Sequence, residues 1–245
     1  MGYVFPTFFF DYLPGTLQEG NTLIELLRQQ QVQPMLLTDT AASEQAISAL
    51  AAPRILHLAT HGFFLDTLIQ PTEPSESPLP TATPVSPRSA TTPTTKDAVL
   101  VIADPMNRAG LAFAGANAGV QGIKQSDGTD GILTAGEAVN LNLAGTDLVV
   151  LSACQTGIGD VRNGEGVYGL QRAFQEAGAK AVLSTLWSIS DDVTMAFMQA
   201  FYSHILRGTP PQEALQATQQ TFISHPLWRH PYYWAPFVLV GKDQP

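Results

Sequence analysis

The chain has 245 residues, of which 44% are hydrophobic, and this length and composition predict one globular domain with a sizeable core. Its formal net charge of −9, with only 12 lysines and arginines, argues against binding to nucleic acid or to anionic membranes, because phosphate contacts need clustered basic side chains. A single cysteine cannot form an internal disulfide, which favours a reducing, cytoplasmic setting.

The chain begins with an apolar segment that lacks the marks of a targeting signal. Residues 1–11 have no basic start, no cleavage site and too few residues to span a bilayer. We expect a strand or an exposed tail here. We therefore treat residues 1–12 as a separate N-terminal segment and assign residues 13–245 to the domain.

Two helices are predicted before the first long apolar run. Thr16 to Gln30 carries leucine and isoleucine at helical spacing, and the apolar Met35 to Leu37 that follows predicts a short strand. Ser43 to Ala51 predicts a second helix, with Asp39 or Thr40 as its N-cap.

The next segment, R-I-L-H-L-A-T-H-G from Arg54 to Gly62, is an apolar run that ends in a histidine and a glycine. It predicts a strand buried on both faces of a parallel sheet. His57 lies four residues before His61, a spacing that binds zinc when both histidines lie on a helix. In a strand, the same spacing separates the two residues by about 13 Å, too far for one metal ion. We therefore expect no metal site and interpret His57 as a core or supporting histidine.

A segment of different composition follows. Residues 71–97 contain seven prolines, four serines and seven threonines in 27 positions. Such a segment cannot bury enough apolar surface to offset the entropy cost of ordering it, so we expect a disordered insertion within the domain. Ala98 to Ala103 then predicts a strand, whereas the composition from Ala109 to Gly131 favours no particular element.

The only cysteine follows a second doubly buried strand. Thr134 to Glu137 has the spacing of a capping box and predicts a short helix to Leu141, and Leu148 to Leu151 predicts the strand. Cys154 comes directly after it, before a glycine-rich loop. If this strand lies parallel to the one that ends at His61, the two side chains emerge at the same edge of the sheet.

A histidine next to a cysteine accepts the thiol proton and stabilises the thiolate, which is the minimum set for a cysteine nucleophile. The alternative is a buried structural cysteine, a common role for a free thiol. The glycines that follow at 157, 159 and 164 do not have the G-x-G-x-x-G spacing of a dinucleotide-binding loop, and no cofactor is expected.

The rest of the chain alternates between helices and strands. The predicted helices run from Val167 to Ala177, from Asp191 to about Arg207 and from Pro210 to about Ser224, and the predicted strands from Ala181 to Leu186 and from Phe237 to Val240. The last helix is expected to start with a capping box at Thr209 and Gln212. This alternation predicts a parallel α/β sandwich.

Several separated motifs occur along the chain in the order H-L-A-T-H-G, L-S-A-C-Q-T-G, G-E-G-V-Y-G-L-Q-R-A-F, S-T-L-W-S-I-S-D and Y-W-A-P-F-V-L-V-G. Together they resemble the CHAT domain, a bacterial relative of caspases and separase. The resemblance extends from about Leu13 to Gly241. It implies a caspase-like three-layer α/β/α sandwich with a mainly parallel, about six-stranded central sheet. It also implies a cysteine endopeptidase that acts on protein substrates without a metal or cofactor.

The resemblance also implies roles for individual residues. His61 and Cys154 would form the catalytic dyad, and the backbone amides of Gly62 and Cys154 would form the oxyanion hole. Asp191 ends the L-W-S-I-S-D stretch, which is similar to the segment that supplies an acid for the substrate arginine in separase. Asp191 also suits the start of the helix that follows it, so both roles stay open.

Two further alternatives remain from the sequence. Trp187, Tyr233 and Trp234 are interpreted as packing residues, although Trp187 could line a substrate cleft. The whole domain could instead be a catalytically silent regulatory or scaffold module that is activated or used by a partner containing TPR repeats, because CHAT domains commonly follow such repeats. No TPR period is visible in this sequence.

Overall fold

The computed structural model describes residues 9–64, 105–153 and 165–241, and these contain seven strands and seven α-helices. The strands are β1 (Ile55–Ala59), β2 (Gly62–Phe64), β3 (Ala109–Ala112), β4 (Ile132–Thr134), β5 (Leu148–Ser152), β6 (Ala181–Thr185) and β7 (Phe237–Gly241). The α-helices are α1 (Pro14–Gln29), α2 (Glu44–Ser48), α3 (Ala116–Gly119), α4 (Ala135–Ala138), α5 (Glu165–Glu176), α6 (Asp191–Ile205) and α7 (Pro211–Ser224). Short 3₁₀ helices span Asp39–Ala41, Pro105–Asn107 and Pro231–Tyr233.

The central sheet has the strand order β1-β5-β6-β7. β1, β5 and β6 run parallel, and β7 runs antiparallel to β6. In the register of β1 and β5, Ala59 lies opposite Ser152, so both strands end at the same edge of the sheet. β7 runs antiparallel because two helices, α6 and α7, follow β6 and bring the chain back to the end of the sheet where β6 finished, so that Thr185 pairs with Phe237. The predicted parallel pairing of the His61 and Cys154 strands is confirmed.

Both faces of the central sheet are covered. Leu148, Val150 and Leu183 point into a core formed with α1, α6 and α7. The alternate residues of the same strands, such as Val149 and Leu151, point into a second core formed with α4, α5 and the strands β3 and β4. Every residue of β5 is buried, as expected from its unbroken apolar run.

The predicted sheet of about six strands is wrong for the part of the chain that the structure describes. β2, β3 and β4 form a separate antiparallel sheet, because the chain turns at Thr60 and His61 and leaves the central sheet after β1. The strand predicted at 98–103 and the insertion predicted at 71–97 lie outside the described residues. The strand predicted at Met35 to Leu37 is also wrong, since these residues have no neighbouring strand and Met35 is exposed.

The capping box predicted at the start of α4 is confirmed. The Thr134 hydroxyl accepts the Glu137 backbone N–H, and the Glu137 carboxylate accepts the Thr134 backbone N–H and hydroxyl. The helix is shorter than predicted and ends at Ala138. It leads through residues 139–147 to β5, so it introduces the strand that ends just before Cys154.

Two other helix starts differ from the prediction. α2 is capped by Ser43, whose hydroxyl accepts the Ala46 backbone N–H, while Asp39 belongs to a separate 3₁₀ turn. α7 has Pro210 as its N-cap and no side-chain cap, so the capping box predicted at Thr209 is absent. Among the described residues, no helix has the combination of length and apolar character that a bilayer crossing needs.

Candidate functional site

His61 lies at the junction where the chain leaves the central sheet for the second sheet. Its carbonyl oxygen accepts the Ala112 backbone N–H at 2.9 Å, and the hydroxyl of the preceding Thr60 donates to the Ala112 carbonyl. The histidine itself is buried, with 7% of its surface exposed. β3 therefore holds the backbone of His61 on a rigid turn at the edge where β1 and β5 end.

The ring of His61 is oriented by the N-terminal segment. Its Nε2 lies 2.6 Å from the carbonyl oxygen of Asp11. A carbonyl oxygen only accepts hydrogen bonds, so Nε2 carries a proton and donates it. In the neutral ring, Nδ1 is then the nitrogen that can accept a proton, and the tautomer follows from this one contact.

Phe10 and Asn117 hold this N-terminal segment in place. The Phe10 ring packs on the ring of His61, with centroids 5.6 Å apart, and on Phe63 at 6.0 Å. Its backbone N–H donates to the Asn117 side-chain oxygen at 2.7 Å, and the Asn117 amide donates back to the Phe10 carbonyl at 2.9 Å. Sequence reasoning missed Phe10 and Asp11. The available signal was the cluster of phenylalanines at positions 8–10, too apolar to be an unattached tail.

Cys154 lies just outside the described residues, and the last described residue before it is Ala153. A methyl group on Gly62 would lie 3.4 Å from the Ala153 Cβ and 3.9 Å from its carbonyl oxygen. The residue after His61 is thus a close neighbour of the residue before Cys154. The Thr185 hydroxyl of β6 lies 3.4 Å from the same Ala153 carbonyl. The glycines at 157, 159 and 164 also lie outside the described residues.

Asp191 is the first residue of α6 and is exposed. Ser190 is the N-cap, but its side chain makes no capping hydrogen bond. The Asp191 carboxylate lies against Gly15 in the first turn of α1, so close that a methyl group on Gly15 would clash with Oδ2. The loop that leaves β6 therefore meets the start of α1, the helix that follows Phe10 and Asp11.

Trp187, on the loop that leaves β6, forms an exposed aromatic pair with Tyr232 of the 3₁₀ helix Pro231–Tyr233. The two rings stack with centroids 6.5 Å apart. The Trp187 indole N–H donates to the Tyr232 carbonyl at 3.1 Å, and the Tyr232 hydroxyl donates to the Ser188 carbonyl at 2.9 Å. Because 37% of Trp187 is exposed, it is not a core residue, whereas Tyr233 and Trp234 pack against the core as predicted.

His57 has a supporting place in the core, as the sequence predicted. Its Nδ1 lies 3.0 Å from the hydroxyl of Tyr202, and its Nε2 lies 3.1 Å from a carboxylate oxygen of Glu19. It points to the face of the sheet that packs on α1 and α6. His57 and His61 thus have different partners and do not share a site.

These features define an α/β protein in which a buried, oriented histidine follows one parallel strand and the neighbouring strand leads to the only cysteine. The chain belongs to the CHAT domain family, a caspase-like family, because the family's sequence model matches residues 3–242, essentially the whole chain. The match begins within the N-terminal segment, ahead of the residues that contact His61.

Part of the chain is also similar to two curated mammalian proteins. These are tetratricopeptide repeat protein 28 of Mus musculus and tetratricopeptide repeat protein 28 of Homo sapiens, each 38% identical over 112 residues. The aligned region is 46% of this chain and 4% of either relative. The chain therefore spans only a small part of these long proteins.

Proposed function

We propose that the protein is a cysteine endopeptidase of the caspase-like type, in which His61 activates Cys154. The proximity of Gly62 to Ala153 is the main support, because these residues directly follow the histidine and directly precede the cysteine. The buried, oriented ring of His61 adds to it, since a base must be held in a fixed tautomer to accept a proton from a nucleophile.

In this mechanism, Nδ1 of His61 accepts the thiol proton of Cys154 while Nε2–H stays bound to the Asp11 carbonyl. The thiolate attacks the carbonyl carbon of a peptide bond, and the backbone amides of Gly62 and Cys154 stabilise the oxyanion. The imidazolium then protonates the leaving amine, and an acyl-enzyme forms. Water, deprotonated by His61, attacks the thioester, and the acid product leaves with the thiol restored.

We further propose that the substrate residue before the cleaved bond is arginine, recognised by Asp191. A carboxylate pairs with the planar guanidinium through two parallel hydrogen bonds, which the point charge of lysine does not match. Asp191 is exposed at the start of α6, directly after the loop that leaves β6, and β6 pairs with β5, the strand that leads to Ala153. Cleavage after aspartate, as in caspases, is not expected.

The test is the reactivity of Cys154 towards iodoacetamide at neutral pH. Because the chain has one cysteine, alkylation reports on Cys154 alone. We expect fast alkylation and peptide cleavage in the wild-type protein, a much slower reaction in His61→Ala, and no cleavage in Cys154→Ala with its folding intact. His204→Ala, in the last turn of α6, is the matched control. Equal alkylation of the wild-type and His61→Ala proteins would contradict a dyad that is formed in the isolated chain.

A second candidate function is a regulatory or scaffold module that works with a TPR-containing partner. The observation that favours it is the similarity to two proteins named for tetratricopeptide repeats. In that case, the isolated chain would show slow, His61-independent alkylation and no cleavage of any member of a peptide library. A TPR partner that produced fast, His61-dependent alkylation and peptide cleavage would identify the module as an activated peptidase. A partner that bound without producing either would identify a scaffold.

A further inference from the structure

A buried polar cluster lies between α1 and the central sheet, and the proposed mechanism does not use it. Glu19 of α1 is only 5% exposed, and Tyr202 of α6 and Ser152 of β5 are buried as well. The Ser152 hydroxyl donates to Glu19 Oε2 at 3.0 Å. The other carboxylate oxygen, Oε1, lies 3.1 Å from His57 Nε2, within ion-pair distance but without the geometry of a hydrogen bond.

The hydrogen-bond roles in this cluster follow from chemistry. Burial and the nearby Glu19 raise the pKa of Tyr202, so its phenol keeps its proton. The hydroxyl lies 3.0 Å from His57 Nδ1 and donates to it when the imidazole is neutral. Nε2 then carries the ring proton beside the Glu19 carboxylate, 3.1 Å from Oε1, and it also carries a proton when the imidazole is charged. A buried carboxylate needs such partners, because an unpaired one is strongly destabilising.

The cluster joins the two strands that lead to the proposed dyad. His57 lies in β1, four residues before His61, and Ser152 is the last residue of β5, two before Cys154. One carboxylate therefore contacts both strands, close to the edge where they end. α1 begins three residues after Asp11, whose carbonyl orients the His61 ring. The segment from Asp11 to Glu19 thus contacts His61 directly and contacts both strands through Glu19.

We propose that Glu19 is a positioning residue for the His61–Cys154 dyad, acting through His57 on one strand and Ser152 on the other. This inference rests on the proposed function. Small displacements of reacting groups, of the order of 1 Å, reduce rates by about a hundredfold. Loss of the Glu19 carboxylate is therefore expected to lower kcat by roughly 10- to 100-fold with little change in KM.

The experiment compares Glu19→Gln with Glu25→Gln, the same change at an exposed position of the same helix. Two experiments are done well below the unfolding temperature: one gives kcat and KM for a cleaved peptide, and the other gives the pH profile of Cys154 alkylation by iodoacetamide. We expect Glu19→Gln to lower kcat and to shift the apparent thiol pKa upward, towards the ordinary value of about 8.5. Glu25→Gln should behave like the wild-type protein in both.

Milder variants keep the test decisive if Glu19→Gln does not fold. Ser152→Ala removes only the hydroxyl on β5, and Tyr202→Phe removes only the hydroxyl beside His57. Each should lower kcat. Where Glu19→Gln does fold, its combination with Ser152→Ala should be no slower than Glu19→Gln alone, because both changes break the same link. A lower melting temperature with unchanged kcat and an unchanged alkylation profile would contradict the positioning role and leave the cluster purely structural.

The two proposals fail in different ways. If alkylation of Cys154 in the isolated chain does not depend on His61, a dyad formed in that chain is contradicted, and the positioning role with it. If the dependence on His61 is present while Glu19→Gln and Ser152→Ala match the wild-type protein, only the positioning role is contradicted.

Discussion

The imidazole of His61 donates a hydrogen bond from Nε2 to the main-chain carbonyl of Asp11, 2.6 Å away. The two residues are 50 positions apart, and the contact makes the segment before α1 part of the candidate site. Because the partner is a backbone atom, no side-chain substitution at position 11 removes it. The contact depends on how firmly the segment is held.

Phe10 is the residue through which this contact can be tested. Its ring packs on His61 and Phe63, so Phe10→Ala should lower the free energy of unfolding by about 1–2 kcal/mol, less than for a fully buried phenylalanine. It should also slow the alkylation of Cys154 several-fold, because the His61 ring loses part of its support. Chemical denaturation and the alkylation rate are the two measurements.

Phe9→Ala is the matched control for Phe10→Ala, because Phe9 is 69% exposed. It should leave the free energy of unfolding and the alkylation rate close to the wild-type values. If Phe9→Ala and Phe10→Ala slowed alkylation equally, the segment would act through its general apolar character and not through the ring contact with His61.

Asp191→Asn should separate the specificity role of this residue from a role in the helix. A hydrogen bond to a charged group contributes about 1.5–3 kcal/mol, and because Asp191 is exposed we expect the low end, about a tenfold loss in kcat/KM for cleavage after arginine. Cleavage after an uncharged residue should change little.

Asp192→Asn is the control for Asp191→Asn, since both residues lie in the first turn of α6 and both are exposed. Both substitutions weaken the interaction with the helix dipole to a similar extent. Equal losses for arginine and uncharged substrates, or equal losses in both variants, would leave Asp191 with a helix-terminal role only.

Asp147, the residue before β5, should make stability depend on acid pH. Hydrogen bonds from Lys180, at 2.7 Å, and from Arg54, at 3.1 Å, lower the pKa of its carboxyl below the ordinary value. The stabilisation is therefore present above the unfolded-state pKa of about 3.9 and is lost as the pH falls through the lower folded-state pKa. Because these groups are substantially exposed, the whole network contributes at most about 1 kcal/mol.

Asp147→Asn should accordingly be less stable than the wild-type protein at pH 7 by up to about 1 kcal/mol, and the difference should disappear in strong acid. Urea denaturation at a series of pH values measures it. High salt should also reduce the difference, because it screens exposed charges. A difference that stayed constant from neutral to strongly acidic pH would show that the substitution acts through packing and not through charge.

The local sequence accounted for features that depend on a few neighbouring residues. The unbroken apolar run of β5 indicated a strand buried on both faces, helical spacing indicated α1, and the residues at the helix ends indicated α6 and α7. The capping box at the start of α4 followed from two residues three positions apart. These elements are predictable because the residue patterns for a buried strand, an amphipathic helix and a helix cap each lie within a short stretch of chain.

Tertiary structure alone decided the surroundings of His61 and the shape of the sheet. Glu19 and Ser152 are 133 positions apart, and nothing near either residue indicates that the two side chains meet. Met35 to Leu37 has the pattern of a strand but forms none, because a strand also needs a neighbour, and the path of the chain provides none there. β7 has the same pattern as the parallel strands, yet it runs antiparallel because two helices precede it. Contacts between distant residues and the direction of a strand depend on the route of the whole chain, which a local pattern does not contain.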